Sequence, residues 1–359
     1  MSFPVKPLCQ KPTVAEIKEV LKYYNIVPPY KVLDSITLNN RILPLKKMGK
    51  ASWKCLIKLS KERFVLKKIP WYCNNVEFVN SVTKFQQYLK LSGLPIPNIQ
   101  QNMYNCLYTK VKNQELFNIY FLQKFYCGFS FQEYRLNYYN FGSMLAHFHT
   151  VSSKESLFHY NGLPQISLVK STLDICKICI PEMIQKKLID NISKKCQITR
   201  IVSLLQEIIN ENGAILESHG YSDTYIYIHG DYNPTNVLFS DNGSIIAILD
   251  FDNCCIDNPI HDVAVALLHV CCFSYKETSF NFKYLQDDFD IAKAHLFLEG
   301  YLTELKNLHL YNAKLLLPAL KIIACKLFIL GLMVGELKIT HFSRIMKVIK
   351  KLDIYKEYF

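Results

Sequence analysis

The stretch that most restricts the fold is "YIYIHGDYNPTNVLFSDNGSIIAILDFD", residues 225 to 252. "YIYI" and "VLFS" are runs of β-prone residues, and "DNG" turns the second run back into "SIIAILDFD". With the turn centred on Asn242, strand pairing carries Asn236 opposite Leu249 or Asp250. A carboxamide oxygen and a carboxylate then converge on one point. Two such oxygens suit a hard divalent ion such as Mg²⁺, which leaves its other positions to water and phosphates. Asp231 lies off that ladder, in the loop between the strands, where it can face a substrate. A carboxylate so placed accepts a hydroxyl proton and turns that oxygen toward a phosphorus. Gly230 permits the tight path from His229 to Asp231, and Pro234 stiffens the loop.

The surrounding chain alternates in character. A first helix is predicted from about Thr13 to Tyr24, opened by "TVAE", Thr13 to Glu16, as a capping box. "ILPLKKMGKASWKCLIKLSKERFVLKKIP" reads as a hairpin turning at Ser60 to Glu62. "VEFVNSVTKFQQYLKLSG" has apolar residues at helical spacing and stops at Gly93. "CLYTKV" and "IYFLQKF" form a further strand pair around "KNQELFN". From about Ser130 the pattern becomes helical. These elements predict an α+β chain of two lobes: residues 1–126, small and β-rich, and residues 127–359, larger and mainly helical.

"HGDYNPTNVLF" followed by "ILDFD" resembles the aminoglycoside phosphotransferase/choline kinase superfamily, nearest its bacterial homoserine kinase-like and spore-coat S-like branch. The resemblance implies a two-lobed protein-kinase-like fold. It makes Asp231 the catalytic base and Asn236 and Asp250 the magnesium ligands. The interval from Asp231 to Asn236 equals that of the protein-kinase catalytic loop. In "DNPIHDVAVALLH" it makes Asp262 a brace for the catalytic loop, a role compatible with capping the helix that follows. His229 becomes a loop-holding residue. Asp252 either assists at the metal or is exposed.

In the small lobe the resemblance assigns the phosphate-binding lysine to "VLK". Val65, Lys67 and Ile69 share one strand face, which favours Lys67, with Lys68 on the other face as the alternative. "MGKASWK" occupies the place of the phosphate-covering loop, with Gly49 its one glycine. Glu77, the only acidic residue of the following helix, is the candidate partner of the lysine; its alternative is an ordinary charge at a helix start. The hinge strand implies adenine contacts from Gln123, Lys124 and Phe125. His147 and His149 in "MLAHFH" read as structural histidines.

The implied activity is ATP- and Mg²⁺-dependent transfer of a γ-phosphoryl group to a hydroxyl of a small molecule, with GTP as the alternative donor. Amino alcohols, sugars, homoserine-like compounds and antibiotics are open as acceptors. A second reading is a kinase-like binding or structural protein that has lost turnover. Composition narrows the partners. The chain has 359 residues and a formal charge of +12, yet only five of its 42 basic residues are arginine and the lysines are scattered. That pattern speaks against nucleic acid, and a basic balance speaks mildly against cationic aminoglycosides, although "QDDFD", Gln286 to Asp290, could supply local acidity. Thirteen cysteines, with "CKIC" at Cys176 to Cys179 unaccompanied by a second metal-type pair, read as reduced, structural thiols. "LLLPALKIIACKLFILGLMVG", from Leu315, is broken by Pro318, Lys321 and Lys326 and suits a core helix rather than a membrane span. No secretory leader is evident, so a cytoplasmic site is expected; oligomeric state is not written in the sequence.

Overall fold

The computed structural model describes residues 11–33, 35–38, 41–44, 53–70, 74–113, 116–129, 135–157, 159–273 and 285–358. Helix α1, Val14–Lys22, is capped by the Thr13 hydroxyl, which accepts from the Glu16 amide at 3.1 Å. Only that half of the predicted capping box forms. The Glu16 carboxylate instead takes the Tyr120 hydroxyl at 2.5 Å and the Asn118 amide at 2.6 Å, because both strand residues offer donors inside the interface that buries it.

Those strands belong to a five-stranded antiparallel sheet: β1 (Lys31–Leu33), β4 (Trp53–Lys58), β5 (Arg63–Lys68), β7 (Leu116–Lys124) and β6 (Thr109–Asn113), in that spatial order. A separate hairpin joins β2 (Ser35–Leu38) to β3 (Arg41–Pro44). The β6–β7 strands run well into the polar "KNQELFN", pairing Asn113 with Leu116, so the predicted loop there is mostly ladder.

Alternation along each strand divides the sheet into two surfaces. Trp53, Cys55, Ile57, Phe64, Leu66, Tyr120 and Leu122 pack against Ile17, Val20 and Leu21 of α1. Helix α2, Val76–Leu91, covers part of the other surface, placing Val79, Val82, Phe85 and Leu89 against Ile69, Ile119 and Phe121. Lys54 and Lys67 belong to this second surface by parity, directly opposite one another in the β4–β5 register.

After β7 the chain is dominated by helices: α3 (Arg135–Ser152), α4 (Leu168–Gln185), α5 (Ile192–Ser218), α6 (Ile260–Cys272), α7 (Ile291–Glu304), α8 (Ala313–Met333) and α9 (Phe342–Ile354). Helix α8 is the apolar axis of this part. Leu316, Leu320, Ile323 and Phe328 are fully buried along it, each worth about 1.5–3 kcal/mol relative to exposure. Among the described residues it is the one helix long and apolar enough to cross a membrane, and 72% of its most apolar window is buried inside the fold. Cys176 and Cys179 are buried on α4, and burial pushes their thiols up to about 11 and about 12.

Two small β ribbons are set among these helices. Strand β8 (Ile226–Ile228) pairs with β11 (Cys255–Asp257), and β9 (Val237–Phe239) pairs with β10 (Ile245–Ile248). The second ribbon also meets the segment after the five-stranded sheet: Phe129 and Phe239 exchange both backbone hydrogen bonds, at 2.7 and 2.8 Å. The result is the two-lobed α+β architecture anticipated from the sequence, with the ribbon loops facing the sheet.

Candidate active site

The loop between β8 and β9 is held by a buried carboxylate. Asp262, in the first turn of α6, accepts the backbone N–H of His229 at 2.7 Å and of Gly230 at 2.8 Å. Burial opposes its charge, but hydrogen bonding from His149 and the nearby His149, His229 and His261 rings hold its carboxyl below the usual range. His149 is fixed in turn by the Tyr301 hydroxyl at 2.8 Å. His229 Nε2 lies 2.9 Å from the Leu249 carbonyl, and its Nδ1 accepts from the Asp231 amide at 3.3 Å. That pattern fixes a neutral tautomer with the proton on Nε2, and burial favours it by lowering the histidine's affinity for a second proton.

Gly230 has φ +75°, and a Cβ there would stand 2.1 Å from the Asn253 carbonyl oxygen. Gly230→Ala is expected to lose more than about 2 kcal/mol, from the left-handed backbone and the backbone clash together. Denaturant unfolding with unchanged helical content checks this, and a wild-type midpoint would refute it.

Asp231 follows. Asn233 donates to its Oδ1 at 2.8 Å, and Asn236 donates to its Oδ2 at 3.1 Å and to its carbonyl at 2.9 Å. Burial pushes the Asp231 carboxyl up to about 7, against the pull of those amides, with Asp250 adding to the rise. Beneath the loop, Tyr232 stacks on Phe141 at 4.5 Å and donates its hydroxyl to the Phe141 carbonyl. The rise at Asp231 matters chemically: a base near neutrality is better matched to taking a proton at physiological pH than an ordinary carboxylate.

Asn236 ends the loop, and its carbonyl accepts the Leu249 N–H at 2.7 Å, so the ribbon register delivers Asp250 beside it. Asp250 adopts φ 66°, ψ 65°, a left-handed conformation that short polar residues tolerate. Its Oδ1 accepts from Lys67 Nζ at 2.6 Å and its Oδ2 from Lys54 Nζ at 2.9 Å, while Lys67 also reaches Asp252 Oδ1 at 2.5 Å. Burial disfavours charge at all three of Lys67, Asp250 and Asp252, and the pairing outweighs it at two. Lys67 is held well above its ordinary range and Asp250 well below, whereas burial leaves Asp252 raised to about 6.

The residues present fit a divalent cation. Asp250 already collects two ammonium groups, and Asn236 Oδ1 accepts no hydrogen bond among the described residues. No group of three or more His, Cys, Asp or Glu arranged for a metal occurs among those residues, so a cation here would complete its shell with water and phosphate oxygens.

The remaining candidates are distributed less neatly. Lys68 turns to the α1 side, its Nζ 6.0 Å from the Tyr120 ring, so the Lys67 register is the one that faces the loops. Glu77 is exposed at the start of α2, and the carboxylates that meet Lys67 are Asp250 and Asp252 instead. The expected Lys67–Glu77 pair is absent because the helix begins at Val76, too early to aim that side chain inward. Gln123 pairs with Val65, the Lys124 N–H donates to Asn98 O at 2.8 Å, and the Phe125 N–H donates to Arg63 O at 2.9 Å. Those amides are committed to the sheet, which moves any backbone reading of a base toward Tyr126 and Cys127. Gly49 lies outside the described residues. Asp252 is largely buried against Lys67 rather than exposed, and His147 is half-buried on α3.

Lys54 is the residue that sequence reasoning missed. Its signal was partial: a hairpin turning at Ser60 to Glu62 sets it opposite Lys67 or Lys68, and the turn that forms, closed between Leu59 and Glu62, selects Lys67.

Residues 129–277 match the model of the phosphotransferase enzyme family (APH). No curated protein matches the chain. Among solved structures, a microcompartment-associated aminopropanol kinase aligns with TM-score 0.66 at 14% identity, covering 96% of this chain and 98% of its own. An amicoumacin kinase in complex with AMP-PNP and Ca²⁺ aligns with TM-score 0.62 at 13% identity, covering 95% and 92%. A choline kinase from Cryptosporidium parvum aligns with TM-score 0.58 at 13% identity, covering 92% and 90%. At such identities these alignments speak for the fold. Residues 129–277 are thus similar to the phosphotransferase enzyme family, and the chain as a whole shares the two-lobed fold of these solved kinases.

Proposed function

We propose that this protein is a small-molecule kinase that moves the γ-phosphoryl group of ATP to a hydroxyl with the help of Mg²⁺. The observation that carries the reading is the meeting of Lys67, from the sheet, with Asp250, 183 residues later, on the ribbon whose loop presents Asp231. Lys67 holds the phosphate tail. Asn236 Oδ1 and the Asp250 carboxylate would hold the metal, and Asp252 supports Lys67. A bound divalent cation would neutralise phosphate charge and polarise the transferring group.

Asp231 receives the acceptor's proton on a carboxylate oxygen that Asn233 and Asn236 orient. As the acceptor oxygen bonds to the γ-phosphorus, the bond from that phosphorus to the bridging oxygen breaks, and ADP leaves with the bond's electron pair. Asp262 and His229 keep the loop rigid through its backbone and touch no reactant. Tyr126 and Cys127 supply the backbone edge for adenine, and the lobe boundary falls at residues 126 and 127.

A polycationic acceptor is the least favoured of the open classes. The acidic run expected to welcome a polycation is already engaged: Asp287 pairs with Lys347 at 2.8 Å, Asp288 pairs with Lys351, and Asp290 caps α7 through the Lys293 amide. The exposed position of Glu77 favours the second reading, a binding protein without turnover.

The two readings separate on nucleotide binding and transfer. Millimolar ATP with Mg²⁺ is expected to raise the melting temperature, since ligand at 100 times its Kd adds about 2.7 kcal/mol. Phosphate transfer should then appear within a panel of amino alcohols, sugars, homoserine-like compounds and antibiotics. Absence of any thermal shift would refute the kinase reading, and a shift without transfer across the panel would favour the binding protein.

A further inference from the structure

We propose that Lys54 is a second phosphate-binding residue, a cation that closes on the β- and γ-phosphates of the nucleotide alongside Lys67. The inference rests on the kinase reading above. Its basis is a pairing that serves no evident structural need. Lys54 and Lys67 are register partners on adjacent strands, on the surface opposite α1, and both end on Asp250. Lys67 alone reaches two carboxylates, Asp250 at 2.6 Å and Asp252 at 2.5 Å, while the one carboxylate within reach of Lys54 among the described residues is Asp250 at 2.9 Å.

Taking a second ammonium out of water for a carboxylate already paired brings little stability, because desolvation offsets the attraction. The arrangement makes better sense as a store of positive charge beside an anion site. Once Asp250 is committed to a divalent cation, Lys67 retains Asp252 and Lys54 retains no carboxylate. A phosphate oxygen restores its partner. A lysine ammonium suits that role, being a compact charge with three donors on a flexible stem.

Position supports the same assignment. Lys54 is the second residue of β4 and the last residue of the sequence stretch that resembles a phosphate-covering loop. That stretch, Met48 to Lys54, contains one glycine. With 14% of its side chain exposed, Lys54 can exchange one oxygen partner for another without unpacking the sheet.

Titrating wild type, Lys54→Met, Lys54→Gln and Lys54→Arg with Mg-ADP and with AMP, by calorimetry, tests this. A lost charge-assisted contact corresponds to about 10- to 100-fold weaker Mg-ADP binding in the Met and Gln variants, with AMP affinity held within about twofold and Arg restoring most of the loss. AMP binding also reports that each variant is folded. Equal losses for ADP and AMP, or no loss for ADP, would overturn the role of Lys54 and leave the kinase reading standing. Failure of the wild type to bind either nucleotide would overturn both.

Discussion

Asp231→Asn lowers the rate of phosphoryl transfer by roughly 100- to 10,000-fold, the range for loss of a positioned general base, while Mg-ATP still raises the melting temperature. The separation follows from the proposed roles, in which Asp231 faces the acceptor and Lys67 and Asp250 hold the nucleotide end. The variant keeps the Asn233 contact to its carbonyl oxygen and loses the weaker 3.1 Å contact, where two amide groups now face each other. Full activity in the variant would remove Asp231 from the mechanism.

The same substitution has a signature in pH. Burial raises Asp231 to about 7 in the folded protein, whereas an unfolded aspartate titrates near 4. A raised folded value means that the group favours folding at low pH and loses that contribution as pH climbs through the window from about 4 to about 7. Without nucleotide or metal, the variant should therefore gain stability over wild type as pH rises across that window, with the difference constant above it. Transfer by the wild type should rise through the same upper value as the base ionises. A flat difference in melting temperature between acid and neutral pH would show that the carboxyl is not raised.

Asp262→Ala has the largest expected effect on stability. It removes the acceptor for two buried backbone N–H groups, His229 and Gly230, at 2.7 and 2.8 Å. Charge-assisted bonds contribute about 1.5–3 kcal/mol each, so the loss is about 3–6 kcal/mol, partly offset by no longer burying a charge. Asp262→Asn should fall between, since one amide oxygen replaces two carboxylate oxygens. Denaturant midpoints for the three proteins should rank in that order; an alanine variant as stable as wild type would show that the loop is held by other means.

Much of this arrangement was written locally in the sequence. The β9–β10 ribbon announced itself through "DNG", while the one-residue shift between Ile245 and Ala247 that sets Asn236 against Leu249 was not legible there. Strand parity along "RFVLKK" separated Lys67 from Lys68. What the sequence hid depends on distant partners. Glu16 looked like a capping-box residue because nothing nearby reveals Tyr120, 104 residues away. Glu77 looked like a partner for Lys67 because a one-dimensional reading shows which helix carries an acid but not where its first turn points. The hinge amides of Lys124 and Phe125 looked available until Asn98 and Arg63 claimed them. Lys54 was half within reach of inference, since the hairpin sets it opposite Lys67 or Lys68 according to a one-residue difference in the turn.

The backbone at Asp250 sets two demands on one position. Its left-handed conformation admits aspartate, asparagine or glycine with little strain, and the proposed cation would then select aspartate. A descendant that abandoned phosphoryl transfer would be freed from the second demand but not the first. Its decay would be written at this site as asparagine or glycine, while glutamate or alanine would carry about 1–2 kcal/mol of backbone strain.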